Sequence, residues 1–252
     1  MPDQDPELWA RRSSSFGSAA RAYAEHRPGY APEAITWSLS AAERPVLDVL
    51  DLAAGTGALT SGLVGAGMSM TAVEPDAEML AELRRRLPDV AAAVGTAEAI
   101  PLAPASVDAV LVGTAFHWFD TERALPEIAR VLRPGGLLAV LYNLVDDSVP
   151  WVAELDTLSR SSVSLPPETD EWAPSFPGFG PVEQARFAHR HRRTAESLTA
   201  MVGTHSHTLV ISPHERAEVL GRVRRYLDSR PETSQGEFDY PLTTVAARCR
   251  CA

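Results

Sequence analysis

The run Val46-Leu-Asp-Val-Leu-Asp51-Leu-Ala-Ala-Gly55-Thr-Gly57-Ala constrains this chain more than any other segment. An apolar strand runs straight into a glycine turn, with Asp51 at the strand's end. A second short strand, Met70-Thr-Ala-Val-Glu74, also ends in an acid. In open α/β sheets ligands bind beyond the carboxyl ends of the strands. Glycines there let backbone approach a nucleoside, and an acid on the second strand accepts hydrogen bonds from a ribose diol.

The chain then alternates. Strands are expected at Val46–Leu52, Met70–Glu74, Val90–Val94, Val107–Gly113 and Leu137–Asn143. Val107–Gly113 is almost wholly apolar, as a strand covered on both faces should be. Helices are expected over Thr60–Gly65, after Asp76 as N-cap with Leu80, Leu83 and Leu87 inward, and over Thr121–Leu132, ended by Arg133-Pro-Gly-Gly136. This spacing implies a doubly wound, mostly parallel sheet. Before it, residues 1–45 read as amphipathic helices, one opened by Pro32 with Ile35 and Leu39 on one face.

The pattern loosens between Pro150 and Pro181, where Pro166, Pro167, Pro174 and Pro177 separate Trp151, Trp172, Phe176 and Phe179. That stretch reads as a lid or a connection with its own small core. Regular structure resumes with a strand over Val182–Arg193, a helix capped by Thr194, a capping box at Ser212-Pro-His-Glu215, and a closing strand over Glu237–Arg248. A late strand–helix–strand addition suggests one antiparallel strand near the edge.

All 23 basic residues are arginine, and the net charge is −10. That field opposes nucleic acid or an anionic membrane as a main partner. The start has neither a basic region nor an apolar core, so it does not read as an export signal, and Leu137–Val145 is too short to cross a bilayer. Cys249 and Cys251 fit a reducing compartment, in an inert tail, and the expected location is cytoplasmic. His189 with His191, and His205 with His207, have a spacing that places both rings on one strand face. No acid or cysteine completes a ligand set, so no metal is expected.

A dinucleotide site would carry a third glycine where Thr60 stands. Asp51 would also sit against a pyrophosphate and repel it. S-adenosylmethionine has an ammonium and a sulfonium there and no phosphate. At a partly dry separation of about 4 Å that attraction is on the order of a few kcal/mol.

With these residues in place, the chain resembles a class I S-adenosylmethionine-dependent methyltransferase, of the small-molecule branch that includes trans-aconitate methyltransferase-like proteins. Asp51-Leu-Ala-Ala-Gly-Thr-Gly57 matches the first motif, with Ala53 where glycine is commoner. Glu74-Pro-Asp76 and Met79 match the ribose motif, and Gly95-Thr-Ala-Glu98 with Ser106-Val-Asp108 the adenine side. Leu132-Arg-Pro-Gly-Gly136 matches the turn before strand five, and Tyr23-x-x-x-Arg27-Pro-Gly-Tyr30 an amino-terminal closing segment. The resemblance implies a Rossmann-like seven-stranded sheet with one antiparallel strand and a helical lid. It divides the chain into a lid at 1–45, a cofactor-binding core at 46–145, and substrate-side elements at 146–252 that complete the same domain. It implies S-adenosylmethionine as cofactor, held by Tyr23, Arg27, Asp51, Ala53, Gly55, Gly57, Glu74, Pro75, Met79, Thr96, Ala97, Glu98 and Thr114. Thr96 stands where the family often has an acid.

Each residue has a structural alternative. Asp51 could cap the next helix, Arg27 could make a surface ion pair, and Tyr23 could pack the amino-terminal helix. His117, in Thr114-Ala-Phe-His117-Trp-Phe119 after strand four, is a candidate general base or a pocket wall. Either His205 or His207 could line a substrate cavity. The expected reaction is methyl transfer to a small molecule, at carboxyl or hydroxyl oxygen or at nitrogen. Two rivals are a non-transferring S-adenosylmethionine protein and a macromolecule methyltransferase. The second would be marked by an Asn-Pro-Pro-Tyr-like signature where Gly113-Thr-Ala-Phe116 stands.

Overall fold

A computed structural model describes residues 6–164 and 175–251. Expectations that rest on Pro166, Pro167, Trp172 and Pro174 lie outside the described residues. The strands are β1 (Asp48–Leu52), β2 (Ser69–Glu74), β3 (Ala91–Val94), β4 (Val107–Gly113), β5 (Leu132–Val145), β6 (Glu183–Arg193) and β7 (Phe238–Arg250). They form one sheet in the order β3-β2-β1-β4-β5-β7-β6. The pairings from β3 through β5 are all parallel, and the antiparallel pairing lies toward β7 and β6. The expected α/β, mostly parallel architecture is present.

The chain divides into two compact units. One comprises Gly29–Leu144, Glu171–Ala188 and Thr243–Ala252. Its sheet is apolar on both faces because side chains alternate along each strand. Leu50, Leu52, Val110, Val112, Leu138 and Val140 enter one buried cluster; Val49, Leu111, Leu137, Ala139 and Leu141 enter the other. Each fully buried leucine contributes roughly 1.5–3 kcal/mol. Asp76 caps the helix Ala77–Arg86 by accepting from the Glu78 and Met79 N–H groups at 2.9 and 3.0 Å. Leu80 and Leu83 are buried, and Arg84, Arg85 and Arg86 are exposed.

The helix Thr121–Val131 is not followed by a simple turn, because Arg133-Pro-Gly-Gly136 lies inside β5. The β4–β5 register shifts between Val107 and Ala109, so the segment is a bulge, with Gly135 at φ +72°. The cysteines are not an inert, frayed tail. Cys249 is buried in β7, and the Cys251 N–H donates to Gly136 O at 2.7 Å. Phe176 packs edge-on against Phe116 in the main core, with ring centroids 5.2 Å apart, rather than in a small core of its own.

At the amino end of the central strands, Asp108 accepts from the Leu47 and Asp48 N–H groups, both at 3.0 Å, and pairs with Arg133 at 2.9 Å. Burial opposes its charge, but these bonds outweigh burial and hold its carboxyl below the usual range. Such a group adds stability above its unfolded pKa, and that contribution is lost as pH falls through the folded value. Asp108→Ala leaves two N–H groups without their acceptor and Arg133 with Asp48 as its remaining partner. We expect a loss of about 3 kcal/mol in urea unfolding at pH 7, shrinking toward pH 3. An equal loss at both pH values would refute the linkage.

The other unit comprises Met1–Pro28, Val145–Asp170 and His189–Leu242. It contains the helices Pro6–Ser13, Ala20–His26, Pro150–Ser159, Ala195–Val202, Ser206–Leu209 and Pro213–Ser229. The helix Pro150–Ser159 stands where the sequence suggested loops. Its Trp151, Val152 and Leu155 are buried against Leu198, Val223, Leu227 and Tyr240. Thr194 makes a reciprocal capping box with Ser197. Ser212 caps its helix through the Glu215 N–H, but the Glu215 carboxylate turns away to accept from Ser162, so that box is only half formed. His205 is the N-cap of the short helix Ser206–Leu209 and His207 lies within it, so the pair is not on a strand face.

Candidate active site

The parallel register sets Asp51 beside Ala72 and Leu111, and Leu52 beside Val73. The carboxyl ends of β1, β2 and β4 therefore share one edge. The turn after β1 carries Ala53 at φ +57°, Gly55 at +56° and Gly57 at +85°, and Thr114 follows β4 at +53°. Left-handed backbone at residues other than glycine costs about 1–3 kcal/mol, and such strain clusters at functional sites. Gly57 has a packing reason as well, because a Cβ there would meet Leu87 Cδ1 at 2.9 Å.

Asp51 is fully buried. Its Oδ2 accepts from Thr60 Oγ1 at 2.5 Å, so the helix-side alternative describes one oxygen, whereas Oδ1 has no hydrogen-bond partner. Burial pushes the carboxyl up to about 7; Thr60 opposes this and the Glu74 charge adds to it. Glu74, also buried, accepts from the Gly55 N–H at 2.8 Å and the Asp76 N–H at 3.0 Å. Burial raises its pKa despite those two bonds. One carboxylate thus holds the glycine turn and the next helix's entry together. A buried acceptor oxygen left unsatisfied suits a cationic group and disfavours a phosphate.

Around this pair, Pro75 is exposed and Met79 buried, its Cε 3.4 Å from where a Gly55 Cβ would stand. Thr96 is exposed and bridges to Ala99, and Ala97 is buried. Glu98 Oε1 accepts from the Asp120 N–H at 3.0 Å. Thr114 Oγ1 is 2.8 Å from the Tyr30 hydroxyl, and a Cβ on Gly113 would lie 2.6 Å from that hydroxyl. Gly113 therefore makes room for Tyr30. Asn143 fastens the same segment, donating to Gly29 O at 2.9 Å and accepting from Thr244 Oγ1 at 2.6 Å.

His117 lies in the turn Phe116–Trp118. Its backbone N–H donates to the Tyr142 hydroxyl at 3.0 Å, and Nδ1 lies 3.1 Å from the same oxygen. Its ring centroid is 4.5 Å from that of Trp118. Tyr142, on β5, was not singled out from sequence, because the contact spans residues far apart in the chain. Tyr23 and Arg27 belong to the other unit. There Arg27 lies 4.8 Å over the Tyr23 ring and donates to Thr204 Oγ1 and O, both at 3.1 Å. Among the described residues no cluster of three or more His, Cys, Asp or Glu could hold a metal, and no helix is long and apolar enough to cross a membrane.

A doubly wound sheet with two acids and a glycine turn at adjacent strand ends defines a nucleoside-cofactor protein of the α/β class. Comparison with known proteins makes this specific. Residues 50–140 match a methyltransferase domain family. The chain is 42% identical over 248 residues to an uncharacterized methyltransferase of Mycobacterium tuberculosis, covering 95% of this chain and 97% of that one. It is 35% identical over 151 residues to a malonyl-[acyl-carrier protein] O-methyltransferase of Enterobacter lignolyticus, covering 60% and 59%. A solved structure from Anaeromyxobacter dehalogenans, described as a type II methyltransferase, superposes with a TM-score of 0.63 at 25% identity, covering 89% of this chain and 97% of that one. The chain belongs to the class I S-adenosylmethionine-dependent methyltransferases.

Proposed function

We propose that this methyltransferase carries the methyl group of S-adenosylmethionine to a small-molecule acceptor, at a carboxyl or hydroxyl oxygen or at nitrogen. One observation carries the cofactor site: the buried, partnerless Oδ1 of Asp51 beside the Glu74 carboxylate at neighbouring strand ends. Asp51 and the turn from Ala53 to Gly57 face the cofactor's ammonium, and Glu74 takes the ribose hydroxyls. Pro75, Met79, Thr96, Ala97 and Glu98 flank the adenine, and Thr114, fixed by Tyr30, borders the transfer point. The bound sulfonium supplies the electrophilic methyl group, so the protein's task is to align two partners and exclude water. An oxygen acceptor is supported by the name of the Enterobacter lignolyticus relative. Two free cysteines suit a reducing, cytoplasmic setting.

His117 takes the acceptor's proton. With Nδ1 engaged by Tyr142, it acts through Nε2. His117→Ala is expected to lower turnover about 10²–10⁴-fold, with cofactor affinity within twofold of wild type. A normal rate would leave His117 a wall residue. The cofactor assignment is tested by calorimetric titration with S-adenosylhomocysteine and, separately, with NADH. Tight uptake of NADH alone would overturn it.

A further inference from the structure

The segment from Gly95 to Leu102 leaves β3 and runs back along the helix Thr121–Val131, whose Leu125, Ile128 and Val131 share a buried cluster with Ala97 and Ile100. One ion pair on that helix spends most of its bonds on this loop. Arg130 and Glu127 form a fork, Nε to Oε1 at 2.7 Å and Nη2 to Oε2 at 2.8 Å. The same guanidinium donates from Nη1 to Leu102 O at 2.8 Å and from Nη2 to Ile100 O at 2.9 Å. Glu127 Oε2 accepts from the Ile100 N–H at 3.0 Å. An exposed pair three residues apart on a helix ordinarily contributes little. Here the side chains are only 32% and 25% exposed, and three backbone groups lying 27 to 30 positions upstream depend on them.

Those three groups flank Pro101. A Cβ on Gly95 would lie 2.6 Å from Pro101 Cδ and 3.1 Å from Val73 Cγ1, so the proline closes directly onto the start of the loop. Gly95 donates its N–H to Glu74 O at 3.3 Å. Through Ile100, Pro101 and Gly95 the pair therefore reaches the backbone of Thr96 and the strand end that carries Glu74. Thr96 and Ala97 have short side chains. What they can offer a ligand is one hydroxyl and their backbone, placed wherever the loop is held. A lysine at position 130 would lack the planar donors that serve Glu127 and two carbonyls together.

We propose that Arg130 and Glu127 are positioning residues for the purine of the cofactor, a role that rests on the S-adenosylmethionine reading above. By clamping Ile100 and Leu102 they fix the edge of Thr96 and Ala97 that tells adenine from other bases. Such a frame acts by preorganisation, so removing it costs discrimination and not stability alone. Two backbone bonds survive any side-chain change and keep the far end of the loop attached. They run from the Ala105 N–H to Arg130 O and from the Ser106 N–H to Val131 O, both at 2.9 Å.

Two readouts test this. In ligand-free protein, Arg130→Ala should speed amide hydrogen exchange at Ala99, Ile100 and Leu102 at least tenfold, with a smaller change at the β4 amides. Calorimetry then compares S-adenosylhomocysteine with S-inosylhomocysteine, whose hypoxanthine reverses the donor and acceptor on adenine's edge. Wild type is expected to prefer the adenine form by about tenfold or more, as for one hydrogen bond. Arg130→Ala should bring that ratio within about twofold, and Arg130→Lys and Glu127→Gln should fall between. Unchanged exchange, or a wild type that binds both forms alike, would overturn the proposal. So would variants that lose affinity for both forms in equal measure, which would mark the pair as purely structural. Faster exchange in Arg130→Ala, in a wild type that takes up neither form, would instead sink the cofactor reading and this role with it.

Discussion

Asp51→Asn is expected to make the ligand-free protein more stable above pH 7 while costing most of its affinity for S-adenosylmethionine. The wild-type carboxyl is pushed up to about 7 from 3.8, chiefly by burial. Between those values the folded state keeps a proton that the unfolded chain has released. Stability is therefore greatest below about pH 4 and declines as pH rises toward 7. The decline is on the order of a few kcal/mol, since one pKa unit corresponds to about 1.4 kcal/mol. Asparagine can still accept from Thr60 but has no charge to desolvate, so the variant's stability should be nearly flat across that window. Chemical denaturation at pH 4.5 and pH 8 reads this directly. Parallel slopes in both proteins would show that Asp51 does not carry the raised pKa. The same charge is what the cofactor's ammonium would meet, so affinity should fall about 10–100-fold, as for one lost charged hydrogen bond.

Glu74→Ala acts on two functions at once. Its carboxylate holds the Gly55 and Asp76 N–H groups, so truncation removes the brace on the glycine turn as well as the proposed ribose acceptor. Calorimetry should show S-adenosylmethionine binding weakened by about 1–3 kcal/mol, with a stability loss of similar size from two unsatisfied donors. Glu74→Gln separates the contributions. Its one carbonyl oxygen can serve one donor, while its amide can still hydrogen-bond a diol, so affinity should recover partly and stability less. Unchanged affinity in both variants would remove Glu74 from the ribose site.

The fold was legible because its signals are local. The apolar run Val107–Gly113 became β4 with the expected bounds, and Asp76 capped the expected helix. Where reading failed, a local cue had competing outcomes. Arg133-Pro-Gly-Gly136 looks like a turn, yet β4 pairs across it and makes it a bulge. Proline-rich flanks hid the helix Pro150–Ser159, although Trp151, Val152 and Leu155 already had helical spacing. Ser212 and Glu215 have a capping-box pattern, but Ser162 offered the glutamate a better partner.

The sequence by itself determined the sheet class, the two acids at strand ends and the cationic character of the ligand they suit. These follow from periodicity, turn chemistry and Coulomb's law, which act over a few residues. Only the tertiary structure decided that Tyr142 holds His117, that Tyr30 fills the space above Gly113, and that Ser206 holds Arg12. Those contacts join residues dozens to nearly two hundred positions apart. Pattern along a chain does not encode such closeness; packing and the burial of charge do.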